Sequence, residues 1–365
     1  MIVTFPHLGS SYLAVKSILD SLEIPYIIPD LNCKTSMDTG LEASPEEICL
    51  PFKLMLGNLI NAAEKGADTV IIPGSCGPCR FGEYCELLQD LLLRKGFNLD
   101  FIVIDNPSEI GKKEFISRFS KITKASNKSK LEKINAAFKG YKIIKLIENL
   151  DSKAKYLCGY EINQGECLDI IRKCKVNALN SKSADEMIII LNKYNNMLKN
   201  IKMDKNKNPL KIAIIGEIYT IIEPYSNMNI EEKLMKHGVS VIRRITPGWW
   251  LKDTILSPLG LNSLKINRAA EKYIPYAVGG YSRECIGETV LASKDGCDGA
   301  IQIFPMGCMP EIVSKSVLPT VSRDLKIPVM SLIMDEISGE AGYNTRIEAF
   351  IDLLERRKNN VLLRN

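Results

Sequence analysis

Cysteines are the side chains of this chain whose type and spacing most clearly point to chemistry. There are eleven of them in 365 residues, and Cys76 and Cys79 form a Cys-Gly-Pro-Cys segment. Two intervening residues let both sulfurs reach one metal centre, glycine permits the tight turn, and proline removes a backbone donor. The segment opens a predicted helix at Arg80, whose positive end would stabilise thiolates.

A Cys-x-x-Cys pair alone has other interpretations: a thioredoxin-like redox pair, half of a zinc site, or buried structural thiols. A redox pair explains neither Cys49 nor Cys308. Zinc sites usually use two close pairs, whereas an iron–sulfur cluster accepts thiolates from several loops. With only two histidines, His7 and His237, mixed Cys/His ligation is disfavoured. The residues favour an iron–sulfur cluster and leave a zinc-stabilised binding module open.

The other cysteines are weaker candidates. Cys85 lies in the helix after the Cys-Gly-Pro-Cys segment, and Cys285 is the counterpart of Cys49 in an internal repeat described below. We expect the rest to be unligated thiols: Cys33, Cys158, Cys167, Cys174 and Cys297.

Composition restricts the class of protein. The chain is 45% hydrophobic and 25% charged, with a net charge of +5 and lysines spread over its middle third, so nucleic-acid binding has little support. The sequence contains no run of about 18 apolar residues, which is the length that a membrane-spanning helix needs. The first residues form a predicted strand rather than a targeting segment, and we expect a cytoplasmic protein whose thiols serve metal or redox chemistry.

The secondary-structure pattern predicts an α/β protein with three parts. Residues 1–107 alternate strands and helices, with strands at 2–5, 24–28, 69–72 and 100–104. Residues 108–208 are mainly helical, with apolar side chains at helical spacing that include Leu131, Ile134 and Phe138. Residues 209–365 form a second strand–helix series, with strands at 211–215, 239–243, 299–304 and 329–333. Short strands separated by helices imply parallel sheets.

The two strand–helix series resemble each other. In both, an apolar strand follows an Asp and ends in Pro-x-x-Cys: Asp68 to Cys76 in the first, Asp298 to Cys308 in the second. An internal duplication explains this pattern. Ligands of parallel sheets bind beyond the carboxyl ends of the strands. If the two domains face each other through those edges, Cys76, Cys79 and Cys308 converge with Cys49 in one cleft.

Two polar clusters outside the cysteines are also candidates. Glu217, Tyr219 and Glu223 follow the first strand of the second series, where they could reach a cleft or cap a helix. The acidic loop from Asp335 to Glu340, with Arg346, is expected to brace the start of the last helix, with contact to a substrate or partner as the alternative.

Several segments together resemble a known group, the activase-related proteins of the 2-hydroxyacyl-CoA dehydratase and benzoyl-CoA reductase superfamily. They are E-E-I-C-L-P-F-K (46–53), G-S-C-G-P-C-R-F-G (74–82), G-E-I-Y … E-P (216–224), V-G-G-Y … G-E-T-V (278–290), P-M-G-C-M-P-E (305–311) and D-E-I-S-G-E-A-G-Y-N-T-R-I-E-A-F (335–350). The likeness covers residues 1–107 and 209–358, and the helical middle is not diagnostic.

The resemblance implies two flavodoxin-like domains with a helical insertion and a [4Fe–4S]-type cluster between the domains. Its ligand-bearing motifs fall on Cys49, Cys76, Cys79 and Cys308. Some relatives carry a double-cubane [8Fe–9S] cluster instead. The group's pattern has no fixed cysteine at Cys85 or Cys285.

The resemblance also implies partners. Better-studied relatives are low-potential reductases or dehydratases that receive electrons from an ATP-hydrolysing activase of the actin/sugar-kinase type. This chain lacks the phosphate-binding loops and the fused nucleotide domain expected of an activase, so ATP is expected on the partner. A homologous subunit or second copy and a small-molecule substrate are further expectations. A non-catalytic electron or cluster carrier is the alternative to an enzyme.

Overall fold

The computed structural model describes residues 1–74, 80–105, 110–256 and 263–362. The chain forms two compact units. Unit 1 comprises residues 1–150, 173–196 and 246–262, and unit 2 comprises residues 151–172, 197–245 and 263–365. The helical middle of the chain therefore contributes to both units, while the three-part division by sequence stays a prediction.

Unit 1 contains a parallel sheet in the order β1-β2-β3. Its strands are β1 (Val3–Thr4), β2 (Thr69–Pro73) and β3 (Asp100–Ile104). The predicted strand at 24–28 is wrong, because only a single parallel bridge joins Tyr26 to Val3. Prolines at 25 and 29 lack the N–H groups that a longer ladder needs.

Unit 2 contains a four-stranded parallel sheet in the order β5-β4-β6-β7. Its strands are β4 (Lys211–Gly216), β5 (Ser240–Ile242), β6 (Gly299–Pro305) and β7 (Val329–Met334). Every residue of β6 is buried, as expected for a central strand that helices cover on both faces.

Counted along the chain, the strands of unit 2 lie in the order 2-1-3-4, which is the flavodoxin-like order. In unit 1 the bridge at Tyr26 occupies the place of a second strand beside β1. The predicted fold class, two flavodoxin-like α/β parts with parallel sheets, is confirmed.

Helices fill the connections between the strands. In unit 1 and the helical middle they are α1 (Ser11–Leu22), α2 (Lys34–Ala43), α3 (Leu50–Glu64), α4 (Tyr84–Arg94), α5 (Lys112–Lys124), α6 (Lys130–Leu157), α7 (Glu166–Leu179) and α8 (Ala184–Lys199). They continue with α9 (Ile218–Ile222), α10 (Ile230–Lys236), α11 (Pro247–Leu256), α12 (Leu264–Ala270), α13 (Ser282–Lys294), α14 (Met309–Leu325) and α15 (Glu340–Leu362). None of the helices that the structure describes is long and apolar enough to span a bilayer.

Helix α2 was not predicted, and it matters because it packs closely on α3. A Cβ atom at Gly57 of α3 would lie 1.8 Å from the carbonyl oxygen of Ser36, and one at Gly40 of α2 would lie 1.8 Å from that of Lys53. In unit 2 the pair α12 and α13 repeats this device, since a Cβ at Gly287 would lie 2.4 Å from the carbonyl oxygen of Ile266. Glycine is therefore needed at positions 40, 57 and 287, where these helix pairs come closest to each other.

Candidate functional site

Cys308 lies in unit 2 at the point where β6 ends and α14 begins. Gly307, with φ at +75°, makes the turn, and the backbone N–H of Cys308 donates to the carbonyl oxygen of Pro305 at 3.1 Å. Cys308 is the N-cap of α14, and proline occupies the first turn of that helix. The thiol is half-buried and lies at the positive end of the helix dipole.

Cys49 in unit 1 occupies the same position on its own helix. It is the N-cap of α3, it also has a proline in the first turn, and its thiol is half-buried. The sulfur contacts the hydroxyl group of Tyr84, the first residue of α4. The Tyr84 ring packs edge-on against Phe52 with 4.9 Å between ring centroids. Cys49 therefore lies beside the helix that follows residues 75–79.

Cys76 and Cys79 lie outside the described residues, but the entry to their segment is described. A Cβ atom at Gly74 would lie 1.7 Å from Oδ1 of Asp105, so the backbone there passes too close for any larger residue. The N–H of Gly74 donates to the carbonyl oxygen of Ile104 at 2.9 Å, and Asp105 is paired with Arg118. These contacts hold the backbone at Gly74, directly after β2. A 3-10 turn at Arg80–Glu83 leads into α4.

Most other described cysteines differ from Cys49 and Cys308, because they are buried and their thiols resist ionisation. Burial is the main cause in each case: it raises the pKa of Cys85 to about 12, with Asp105 adding to the shift, and that of Cys297 to about 11. The pKa of Cys158 rises to about 12, and that of Cys167 rises further. These thiols have the properties of neutral core side chains.

Cys33 is the exception among the cysteines expected to be unligated. It is exposed and is the N-cap of α2, and a hydrogen bond from the backbone of Ser36 lowers its pKa. Its helix has no proline in the first turn, and no residue spacing in the sequence singled it out.

Cys285 is not the structural counterpart of Cys49. It lies inside α13 rather than at the start of that helix, and it is fully buried. Burial and the neighbouring Glu311 raise the pKa of its thiol well above the usual value. The sequence repeat matched Cys285 with Cys49 because both are cysteines. In the structure, Gly57 and Gly287 are the residues in corresponding positions, because each lies where its helix comes closest to the paired helix.

A buried carboxyl group three residues after Cys308 was not singled out from the sequence. Glu311 is fully buried in the first turn of α14, and its Oε2 accepts a hydrogen bond from Nε2 of Gln302 at 2.8 Å. Oε1 has no hydrogen-bond partner among the described residues, although Cys285 lies close enough to affect the titration of the carboxyl. Burial raises the pKa of Glu311 to about 8, so the neutral acid predominates at pH 7.

The polar residues around Glu311 form a short chain. Gln302 also donates to the backbone carbonyl of Glu311 at 3.1 Å, and its Oε1 accepts from the hydroxyl group of Ser331 at 2.7 Å. Glu217 lies near enough to raise the pKa of Glu311 by charge repulsion. A carboxyl group that is protonated near neutral pH can hold and release a proton at this end of the sheet.

Glu217 itself acts as a helix cap. It follows β4 and is the N-cap of α9, where its Oε1 accepts from the N–H of Tyr219 at 2.9 Å and its Oε2 from that of Thr220 at 2.8 Å. A Cβ atom at Gly216 would lie 2.0 Å from the carbonyl oxygen of Ile303, so glycine is required where β4 ends. Of the two roles expected for Glu217, the geometry shows capping.

The acidic loop before the last helix has the expected structural role. Oδ1 of Asp335 accepts from the hydroxyl group of Ser338 at 2.6 Å and from the N–H of Ile337 at 3.1 Å. Arg346 donates to the carbonyl oxygen of Ser331 at 2.9 Å, and Glu340 is paired with Lys233. These contacts brace the start of α15.

Two of the four predicted ligands, Cys76 and Cys79, lie outside the described residues. Among residues 1–74, 80–105, 110–256 and 263–362, no three His, Cys, Asp or Glu side chains form a group suited to a metal ion. The four predicted ligands therefore stay a prediction. Cys49 and Cys308 fit thiolate ligation, because they are partly accessible and each begins a helix.

The fold and these helix N-termini define a class: an α/β protein with two parallel sheets and accessible cysteines that begin helices. Residues 7–244 match the family described as CoA enzyme activase uncharacterised domain (DUF2229). The matched range covers about two thirds of the chain, and it includes the helical middle. The chain belongs to this family. The comparison with curated proteins gave no significant match.

Proposed function

We propose that the chain binds a [4Fe–4S]-type cluster through Cys49, Cys76, Cys79 and Cys308 and acts in low-potential electron transfer or in the reduction of a small substrate. The observation that carries the proposal is the shared position of Cys49 and Cys308. Each is a half-buried N-cap followed by a proline in the first helical turn. Most of the other described cysteines are buried thiols with raised pKa values.

Helix N-termini suit such ligands for a physical reason. The first N–H groups of a helix lack intrahelical partners and carry partial positive charge, so they stabilise a thiolate and an anionic cluster. Proline has no N–H at a position where that group would be unpaired anyway. The chain thus provides positive potential at Cys49 and Cys308 without needing a lysine or arginine beside each sulfur.

A bound cluster would supply electrons one at a time at low potential. A reduction also consumes protons, and Glu311 provides a protonated group near neutral pH, three residues after Cys308. Gln302 orients this carboxyl group through its hydrogen bond to Oε2. The residues of unit 2 thus fit a role in which proton supply accompanies electron delivery.

The partner follows from the family and the sequence. Because the chain belongs to a CoA enzyme activase family, we propose membership of the wider 2-hydroxyacyl-CoA dehydratase superfamily. The motifs that resemble this superfamily support ATP hydrolysis by a separate activase of the actin/sugar-kinase type. That partner would deliver electrons to this chain.

Anaerobic purification followed by metal and sulfide analysis tests the cofactor. The proposal predicts a brown protein with about four irons and an equal amount of labile sulfide per chain, or about eight irons for a double-cubane cluster. A colourless protein with one zinc and no sulfide would refute it and favour the zinc-stabilised module.

Electron paramagnetic resonance of the reduced protein then separates an enzyme from a carrier. If the cluster reacts with substrate, its signal changes on addition of an acyl-CoA thioester or another small reducible molecule. If the cluster only carries electrons, the signal is unchanged by all of these compounds and is lost when an oxidised acceptor protein is added.

A further inference from the structure

The first half of α6 carries an exposed apolar stripe, defined here as Leu131, Ile134, Phe138 and Tyr141. The exposed fractions of these side chains are 80%, 67%, 65% and 37%. The sequence pattern predicted the helix correctly, but it did not show that this apolar face lies in solvent. Patches of this kind on folded proteins usually mark sites of interaction.

The stripe is not needed to hold α6 in place. At 100° per residue its four side chains fall within a narrow arc of the helix, and the opposite face is the one that packs on the protein. That opposite face includes Ala136, Ile143, Ile147 and Leu150, none more than 2% exposed. Helix α6 therefore has a buried face and a second, separate apolar face.

The spacing of the stripe fits another helix. Its members follow each other at intervals of three, four and three residues, which is the a/d pattern of a coiled-coil seam. A helix that lies on a membrane needs a broader apolar face than such a seam provides. The stripe spans about 15 Å along the axis and supplies two successive a/d pairs.

The positive charge around the stripe indicates which charge its partner carries. Residues 110–145 contain eleven lysines and arginines against two glutamates, whereas the rest of the chain has 37 basic and 41 acidic residues. Lys130, Lys142 and Lys145 are exposed and lie beside the stripe on the helical wheel. A second copy docked through the same stripe would place these lysines against each other, which is unfavourable.

We propose that the stripe of α6 is a docking surface for an acidic amphipathic helix of another protein, with apolar residues at a and d and glutamate or aspartate beside them. The apolar seam would provide burial, and the flanking lysines would provide charge pairing and orientation. This surface is independent of the proposed cluster, because it uses none of the cysteines.

Fluorescence anisotropy with a designed probe tests the proposal on the full chain. The probe is a labelled peptide of about 21 residues with leucine at a and d and glutamate at the flanking positions. A scrambled peptide of the same composition is its control. We expect the periodic peptide to bind at least about tenfold more tightly, and the binding to weaken as salt is raised.

Two sets of variants locate the binding. Leu131→Ser combined with Ile134→Ser and Phe138→Ser should weaken it by about tenfold or more, and so should Lys130→Glu combined with Lys142→Glu and Lys145→Glu. Ile337→Ser, at a position 85% exposed in unit 2, is the matched control and should leave binding unchanged. All of these side chains are exposed, and circular dichroism confirms that each variant folds.

Three results would overturn the proposal. One is binding that does not depend on the apolar pattern: the periodic and scrambled peptides bind equally, or the stripe variant binds the periodic peptide as tightly as the wild type does. The second is a dimer in sedimentation experiments that the stripe variant abolishes, because the surface would then bind a second copy. The third is stripe-dependent binding to phosphatidylcholine vesicles that contain phosphatidylserine, without a preference for the periodic peptide.

Discussion

The helices that begin at Cys49 and at Cys308 start in the same way but bury different ionisable side chains, a lysine in unit 1 and a glutamate in unit 2. Both cysteines are N-caps with extended backbone, with φ −71° and ψ 152° at Cys49 and φ −72° and ψ 101° at Cys308, and both helices have proline in the first turn. In unit 1 the helix buries Lys53, which is 1% exposed and donates to the carbonyl oxygen of Glu46 at 2.9 Å. In unit 2 it buries Glu311.

This difference shows that repeated geometry does not imply repeated electrostatics. Cys49 contacts an aromatic hydroxyl group and begins a helix that buries Lys53, whereas Cys308 precedes a carboxyl group that burial keeps protonated near neutral pH. If the two sulfurs hold one cofactor, they would affect it differently, because nearby charges and hydrogen bonds tune a cluster's potential.

The largest expected effect concerns the helix pairs that both units share. Gly57→Ala forces a Cβ against the carbonyl oxygen of Ser36 at 1.8 Å, and Gly287→Ala forces one against that of Ile266 at 2.4 Å. We expect the free energy of unfolding to fall by about 3 kcal/mol for Gly57→Ala and by less for Gly287→Ala. Urea denaturation followed by circular dichroism measures both.

Gly339→Ala is the control for this pair, because a Cβ there has open space around it. Its effect should stay within about 0.5 kcal/mol. The shared helix-pair design would be contradicted if Gly57→Ala were as harmless as this control.

The second prediction uses the buried carboxyl group of unit 2. The pKa of Glu311 is about 8 in the folded protein and near 4.5 when exposed, so folding takes up a proton between these two values. Stability contributed by this group therefore falls as pH rises from 4.5 to about 8 and is constant above that. Glu311→Gln keeps the neutral shape and removes this loss.

We expect Glu311→Gln to be more stable than the wild type at pH 8, and the difference to vanish toward pH 4.5. Thermal unfolding at several pH values measures it, with the exposed Glu348→Gln as control. A difference that does not depend on pH would show that Glu311 is ionised in the folded protein.

A smaller effect is expected from Tyr84→Phe, which removes the hydroxyl group beside Cys49 but keeps the ring against Phe52. Losing one hydrogen bond should cost about 1 kcal/mol. Without a donor beside the sulfur the thiolate is less favoured, so iodoacetamide should alkylate Cys49 several-fold more slowly in the iron-free protein, as followed by mass spectrometry.

Cys308 serves as the internal control in the same samples, because it lies in the other unit. Its alkylation rate should not change in Tyr84→Phe. An equal change at both cysteines would mean that the substitution acts through the whole fold rather than through Cys49.

The sequence predicted those parts of the fold that depend on local patterns. The strands 211–216 and 299–305 and the helices of the middle segment agree with apolar runs and helical spacing. Helix α2 was missed because its sequence, with Thr, Ser and Gly, has weak helix propensity, and packing against α3 stabilises it. The strand at 24–28 was overpredicted because apolar content outweighed the two prolines.

The candidate site was predictable only where residue type alone carries the information. The cysteine motifs indicated thiol chemistry, but the N-cap position of Cys49 and its contact with Tyr84 depend on tertiary structure. Glu311 is the last residue of the segment P-M-G-C-M-P-E (305–311), yet its protonation follows from burial, which no short spacing reveals. The sequence matched Cys285 with Cys49 on residue identity alone. In the structure, Cys285 lies inside its helix whereas Cys49 is the N-cap of its own helix.

Iron and labile sulfide content of anaerobically purified variants tests the proposed ligands most directly. Cys49→Ser and Cys308→Ser are compared with Cys33→Ser, which replaces an exposed cysteine at another helix N-cap. The account predicts that the first two lose at least about half of the wild-type iron and sulfide, because each removes a ligand, and that Cys33→Ser keeps all of it. Equal iron and sulfide in all three variants would contradict the assignment of Cys49 and Cys308 as ligands.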